Sequence, residues 1–400
     1  MFHPIRLILS RPSLLLLAVM TFIHGSAYGS TLPYLSITAI DELGISDQAY
    51  SVLVFITSLS TVLISVSLGV VSDSIGDRRK IMVGLASIGV IAYGAIFIFP
   101  SRYVFVCATA LAIPFFQSVS SFIFISVRAE TVDLTSQDAA AVNTTVRAFM
   151  SASWVVMPGA VGFAFASSGS MRGAWGVAGL CALAILFCAA FLLRKPRDQP
   201  SSGKLGDAFF AALKEIAAPL MLARMISMAS VTGTIRLAST LWPLILTIKL
   251  GGKSADVGIV AGLIAFLEIP FMLIWAALLK RLSLLAILVT AGLVYGCYMA
   301  ALSFATAPWQ IYLLTLPAAA GAAALLSMPL TYFQELFPER PGLGTALNPI
   351  NSCLANGLMA IMFAFGAPYF GYSGAAWLGV AMAAAGIAGL LVLGNARRSS

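Results

Sequence analysis

The chain has 400 residues, of which 60% are apolar and 10% charged, against roughly 25% charged in ordinary soluble proteins. A mean hydropathy of +0.98 leaves too little polar surface to cover a soluble globule, so the chain reads as a polytopic membrane protein. A secreted disulfide scaffold, a disordered regulator and a basic-patch nucleic-acid binder are excluded, and the net charge of +8 becomes a question of where the basic residues sit.

A bilayer core takes about 20 apolar residues per helix. In chain order such runs fall near 13–38, 49–71, 80–99, 103–127, 139–167 and 173–194, then near 217–247, 255–279, 282–304, 309–332, 343–369 and 373–394. That predicts an all-α protein with twelve transmembrane helices. The small residues Gly25–Ser30 also fit a signal-peptide cleavage region, but the length of the first run and the even count favour a retained helix. The longest polar interval runs from Arg194 to Glu215. It divides the chain into residues 1–194, a linker at 195–216, and residues 217–400, each outer part holding six spans. Asp207–Glu215 reads equally as a surface amphipathic helix or a plain linker.

Orientation follows from Lys and Arg in the connections. Of the 23 basic residues, sixteen fall on the side of the termini and the middle linker, among them Arg78, Arg79, Lys80, Lys280 and Arg281. Four (Arg102, Arg172, Lys249 and Lys253) fall on the other side, and three lie within spans. Both termini are therefore expected in the cytoplasm. The five cysteines all lie in apolar runs with no C-x-x-C pair, so buried free thiols are expected. Two histidines, His3 and His24, are too few and too far apart for a His-based metal site. No cofactor is expected.

Between spans two and three stand Gly69, Asp73, Gly76, Arg78 and Arg79. Glycines allow a tight turn and close backbone approach, and Asp73 suits a neighbouring helix N-terminus. A plain basic turn explains the arginines but not the Gly and Asp spacing. This segment resembles the loop motif Gly-x-x-x-Asp-Arg-x-Gly-Arg-Arg of the major facilitator superfamily, with Ser74 in place of its Arg and Asp77 in place of a basic residue. The resemblance covers essentially the whole chain. Within that superfamily the chain is most similar to bacterial sugar efflux transporters, on Ser72–Lys80, Val146-Arg147 with Ser153-Trp154 and Pro158, Leu267-Glu268-Ile-Pro270, and Tyr332-Phe-Gln-Glu335. Pro158-Gly159-Ala-Val-Gly162 also looks like the tail of the family's antiporter motif. An ordinary packing kink explains it equally well.

Ionisable residues inside spans are costly and are functional candidates by default. Glu268 lies near the middle of span eight, where desolvation disfavours its charged form; that is what a proton-coupling group needs. A fixed Glu268–Arg pair is the bland alternative. Arg147, in span five, and Arg224, in span seven, are candidate substrate contacts; Arg236 reads equally as a snorkelling anchor. His24 reads as a packed, hydrogen-bonded core residue. Gln117, Asn143, Asn348 and Asn351, with Asn356, offer amides that donate to and accept from hydroxyls, and Trp154, Trp242 and Tyr28 offer rings to stack on a sugar. Interhelical glue is the alternative for each amide.

There is no P-loop, no H-E-x-x-H and no G-x-S-x-G, so no enzyme is expected. The family resemblance implies a monomeric secondary transporter of the bacterial inner membrane. It would export small sugars or glycosides in exchange for protons, with Glu268 carrying the proton and the loop around Asp73 latching the inner gate. The alternatives are a multidrug/proton antiporter of the same fold and a non-transporting membrane sensor.

Overall fold

A computed structural model describes residues 3–74, 78–193, 218–337, 339 and 341–395, and these are helical apart from short connections. After a short N-terminal helix (His3–Ser10) come α1 (Pro12–Tyr34), α2 (Asp47–Ser74), α3 (Arg78–Ile98), α4 (Arg102–Glu130), α5 (Ser136–Phe165) and α6 (Arg172–Leu192). Beyond residue 217 follow α7 (Pro219–Lys249), α8 (Ser254–Leu278), α9 (Leu284–Ser303) and α10 (Pro308–Leu336). The last apolar stretch, Leu343–Leu393, has 51 residues. As one rod it would measure roughly 77 Å at 1.5 Å per residue, more than twice a hydrocarbon core of about 30 Å. It is a hairpin. At Gly371 the chain takes φ 66°, a left-handed conformation that glycine alone adopts without penalty. Gly366 then lies against Ala375 and Leu378. Residues 343–370 form α11 and 372–393 form α12, which makes twelve apolar helices among the described residues, as the apolar runs predict. The expected linker at 195–216, with its Asp207–Glu215 segment, lies outside the described residues.

Local sequence explains how the helices begin and end. Pro12 and Pro219 open α1 and α7, where a missing N–H costs nothing. Ser101, Thr135 and Ser283 cap α4, α5 and α9 by accepting from backbone N–H groups three residues on. α1 and α7 repeat one another at their far ends, as Ser30-Thr31-Leu32-Pro33 and Ser239-Thr240-Leu241-Trp242-Pro243. Each of these segments is followed by a π-helical turn, Ile37–Glu42 and Ile245–Lys249.

Burial separates the helices by role. In α1 67% and in α7 72% of the spanning window is buried, against 17% in α2 and 22% in α5 and α8. α1 and α7 are thus central, while α2, α5 and α8 carry long uncovered faces. Helices α1–α6 pack on one another, as do α7–α12, and the two halves meet along α5–α8 and α2–α11. Small residues make the α5–α8 contact possible: a Cβ at Gly262 would stand 2.6 Å from the Val155 carbonyl oxygen, closer than atoms can approach. The cysteines are free as expected, but Cys188 alone of the five is buried. Cys107 and Cys297 are exposed, because a surface facing lipid tails is itself apolar and a thiol there has nothing to gain from burial.

At the termini end, Arg11 forms a bidentate pair with Asp133 at 2.7 and 2.8 Å, joining α1 to the α4–α5 connection. The Arg11 hydrogen bond holds the Asp133 carboxyl below the usual carboxylate range. Asp133 bound to Arg11 therefore favours the folded state above about pH 4, and this contribution fades as pH falls through its depressed value. Thermal unfolding of wild type and Asp133→Asn in detergent should differ slightly at pH 7 and converge in acid. A gap that instead widens in acid would contradict this.

Candidate functional site

Among the described residues, the polar and ring contacts between the halves lie in the part of the bundle remote from the termini. Tyr372 of α12 donates to Asp47 of α2 at 3.3 Å. Tyr50 meets Phe363 edge-on at 5.7 Å, Gly357 faces the Phe55 ring, and Asn356 donates to Ser58 at 3.0 Å. On the other flank Gly258 and Gly262 sit on the Pro158 and Val155 carbonyls. Tyr34 donates to that same Pro158 oxygen at 2.6 Å, so one α5 carbonyl meets both α1 and α8. Nearer the termini, Asn143 and Arg147 of α5 and Phe266, Ile269, Pro270 and Leu273 of α8 are exposed. Among the described residues the halves meet at the distal end, and these side chains nearer the termini are uncovered.

The residues expected to form a site divide into two groups. Glu268, half-buried in α8, has no hydrogen-bond or ion-pair partner among the described residues, so the fixed Glu268–Arg pair is not formed in this structure. Buried Tyr295 of α9 lies in the electrostatic field of both Glu268 and Arg236. That puts Arg236 against the interior of its half, about 20 Å along α7 from Lys249, too deep to act as a snorkelling anchor. Arg147 is exposed, with its guanidinium 4.9 Å from the Phe124 ring of α4. Asn143 lies one turn from it on the same face. Trp154 and Asn348 are half-buried. None of Glu268, Arg147, Asn143, Trp154 and Asn348 makes a side-chain hydrogen bond among the described residues.

The second group is engaged. Gln117 accepts from Thr61 of α2 at 3.1 Å. Asn351 is 2% exposed and donates to Thr232 of α7 at 3.2 Å, leaving its own carbonyl oxygen buried and unpaired. It faces α7 and not the cleft, because α7 and α11 pack tightly: a Cβ at Gly233 would stand 3.0 Å from the Ala355 carbonyl. Arg224 donates to the Leu393 carbonyl of α12 at 3.5 Å. Asn351 and Asn356, expected to act with Asn348, bind different neighbours. His24 is packed as expected, with Nε2 3.2 Å from the Phe116 carbonyl and its ring between Tyr28 and Phe116.

Of the expected gating loop, Gly76 and the side chains of Gly69, Asp73 and Arg78 lie outside the described residues. Arg79 donates to the Ala189 and Ala190 carbonyls in the π turn that ends α6, where a cation meets orphan carbonyls at a helix C-terminus. Sequence reasoning did not single out Asp47, Tyr50, Tyr295 or Tyr372. The repeated Ser-Thr-Leu segments of α1 and α7 are the one signal pointing to this region, since Tyr50 lies against Thr240.

The model of the Major Facilitator Superfamily matches residues 17–360. The chain belongs to that superfamily. Its members are membrane transporters, so this is a multi-pass transporter of a small molecule. A Deinococcus radiodurans protein assigned by name to sugar efflux is 28% identical over 365 residues, spanning 90% of this chain and 92% of that one. Sugar efflux transporter B of Salmonella typhimurium is 27% identical, and the match spans 82% of both chains. Among solved structures, the nucleoside transporter NupG superposes with a TM-score of 0.81 over 95% of this chain and 98% of that one. At 12% identity it speaks for the fold alone.

Proposed function

We propose that this transporter exports small sugars or glycosides from a bacterial cytoplasm in exchange for protons, by alternating access between its two six-helix halves. The observation that carries the reading is Glu268, a carboxylate within the membrane-spanning α8 that has no hydrogen-bond or ion-pair partner among the described residues. The names of the relatives supply the substrate class. The excess of Lys and Arg at the termini end supports a cytoplasmic orientation for that end, and in this reading the form described is inward-open.

In this reading sugar enters from the cytoplasm and binds Arg147 and Asn143 through its hydroxyls, with Asn348 opposite and Trp154 against an apolar face of the ring. The halves then rock about the α5–α8 and α2–α11 seams. Glu268 takes a proton on the outer side and releases it inside. Proton and sugar must stabilise different states, since a ligand with equal affinity for both shifts nothing.

Counterflow in proteoliposomes tests the substrate class. Unlabelled sugars should compete with labelled galactoside, and hydrophobic cations should not; the reverse order would make the chain a drug antiporter. Arg147→Gln should raise the half-saturating sugar concentration roughly tenfold, the loss of one hydrogen bond to a charged group. An unchanged value would remove Arg147 from the site.

A further inference from the structure

The tip of the α11–α12 hairpin is held from three sides. Lys249, closing the π turn of α7, donates to the Ala305 carbonyl at 3.0 Å and to Ser373 Oγ at 2.8 Å. Those bonds fasten the tip to its own half. On the other side Tyr372 reaches Asp47 in the first turn of α2 at 3.3 Å, across the seam. Beneath it, the Phe363 ring lies parallel to Tyr372 at 6.2 Å and 3° and meets Tyr50 edge-on. Asp47 and Tyr50 are three residues apart, on one face of α2, so a single helix face grips the hairpin twice. The left-handed turn at Gly371 sets the direction in which Tyr372 leaves the hairpin, and a residue with a Cβ would resist that turn.

We propose that residues 371–373 form a strap that locks the distal gate, with Tyr372–Asp47 as its releasable catch and Lys249–Ser373 as its anchor. The inference rests on the alternating-access part of the reading above. The two bonds differ in what they join. Lys249–Ser373 lies within one half and persists when the halves separate, whereas Tyr372–Asp47 must break for the distal side to open. Tyr372 and Asp47 are only half-buried, so water replaces the lost partner on opening, and the N-terminus of α2 continues to favour the Asp47 carboxylate. Opening therefore leaves neither group buried without a partner, and only the bond itself is lost. Tyr312–Asp256, at 2.6 Å, joins α10 to α8 within one half. It is the matched tyrosine–carboxylate bond that spans no seam.

The test reads the gate directly. Thr247, which lines the distal crevice between the halves, is replaced (Thr247→Cys) in a background where the five native cysteines are alanine. Labelling by a membrane-impermeant maleimide is then followed in proteoliposomes. Tyr372→Phe and Asp47→Ala should each speed labelling roughly tenfold, as expected for loss of one charge-assisted hydrogen bond. The double variant should be no faster than the quicker single, because both remove the same bond. Ser373→Ala should speed labelling less, and Tyr312→Phe should label at the wild-type rate. Wild-type labelling in Tyr372→Phe, or an equal rise in Tyr312→Phe, overturns the strap. Counterflow on the same vesicles separates the two claims: absent sugar counterflow in the parent protein defeats the sugar reading, while the labelling order alone decides the strap.

Discussion

Glu268→Gln is expected to abolish proton-driven sugar accumulation while sugar still exchanges across the membrane. Glutamine keeps the shape and the hydrogen-bonding atoms but cannot gain or lose a proton. The carboxylate of Glu268 has no partner among the described residues, so the substitution breaks no ion pair. Stability should stay within about 1 kcal/mol of wild type, since no buried charge is left alone. The coupled rate should fall by a hundredfold or more, on the order of the loss when a proton-transfer group is removed, and what remains should lose its dependence on pH. The check is to follow accumulation and counterflow side by side in the same vesicles. Full accumulation by the variant would make Glu268 a structural residue.

The second large effect is expected at Gly262. The Cβ of any other residue would stand 2.6 Å from the Val155 carbonyl oxygen, and backbone cannot rotate away as a flexible side chain can. Gly262→Leu should therefore prise α8 from α5 only in the state closed at the distal end. Overpacking of this kind costs about 1–3 kcal/mol, which shifts the balance between the two states by roughly 5- to 150-fold. Distal labelling at Thr247→Cys should rise accordingly, and the sugar-exporting cycle should slow because return to the inward-open form becomes the difficult step. Gly296→Ala, where the new methyl would find its nearest neighbour at an ordinary 3.6 Å, should do neither.

The passes were legible in the sequence because hydrophobic length is dictated by the bilayer and not by neighbours. Even the break between α11 and α12 shows as a gap in the apolar pattern at Gly371, although the helix continues almost unbroken around it. The places of Glu268 and Arg147 along their helices were legible for the same reason. Which amide faces the cleft was not. In a helix apolar on all sides, periodicity relates residues to each other but does not say which face meets which neighbour. Asn348, Asn351 and Asn356 read as one set on that basis, yet Asn351 is consumed by Thr232 and Asn356 by Ser58. Arg236 shows the converse: its distance from the helix end suggested an anchor as readily as a site, and only the placement of Tyr295 decides it. Asp47 reads as an ordinary acid in the first turn of a helix. Its partner lies 325 residues away, and no local pattern connects them.

An opposing proton gradient is expected to drive sugar through this chain. Purified protein in liposomes, oriented by protease protection, should be given labelled lactose and an imposed pH gradient. Sugar should move against its own gradient only when protons run the opposite way, and it should stop when a protonophore collapses the pH difference. Sugar flux that merely equilibrates, at the same rate with and without the gradient, would contradict proton exchange and leave a facilitator in its place.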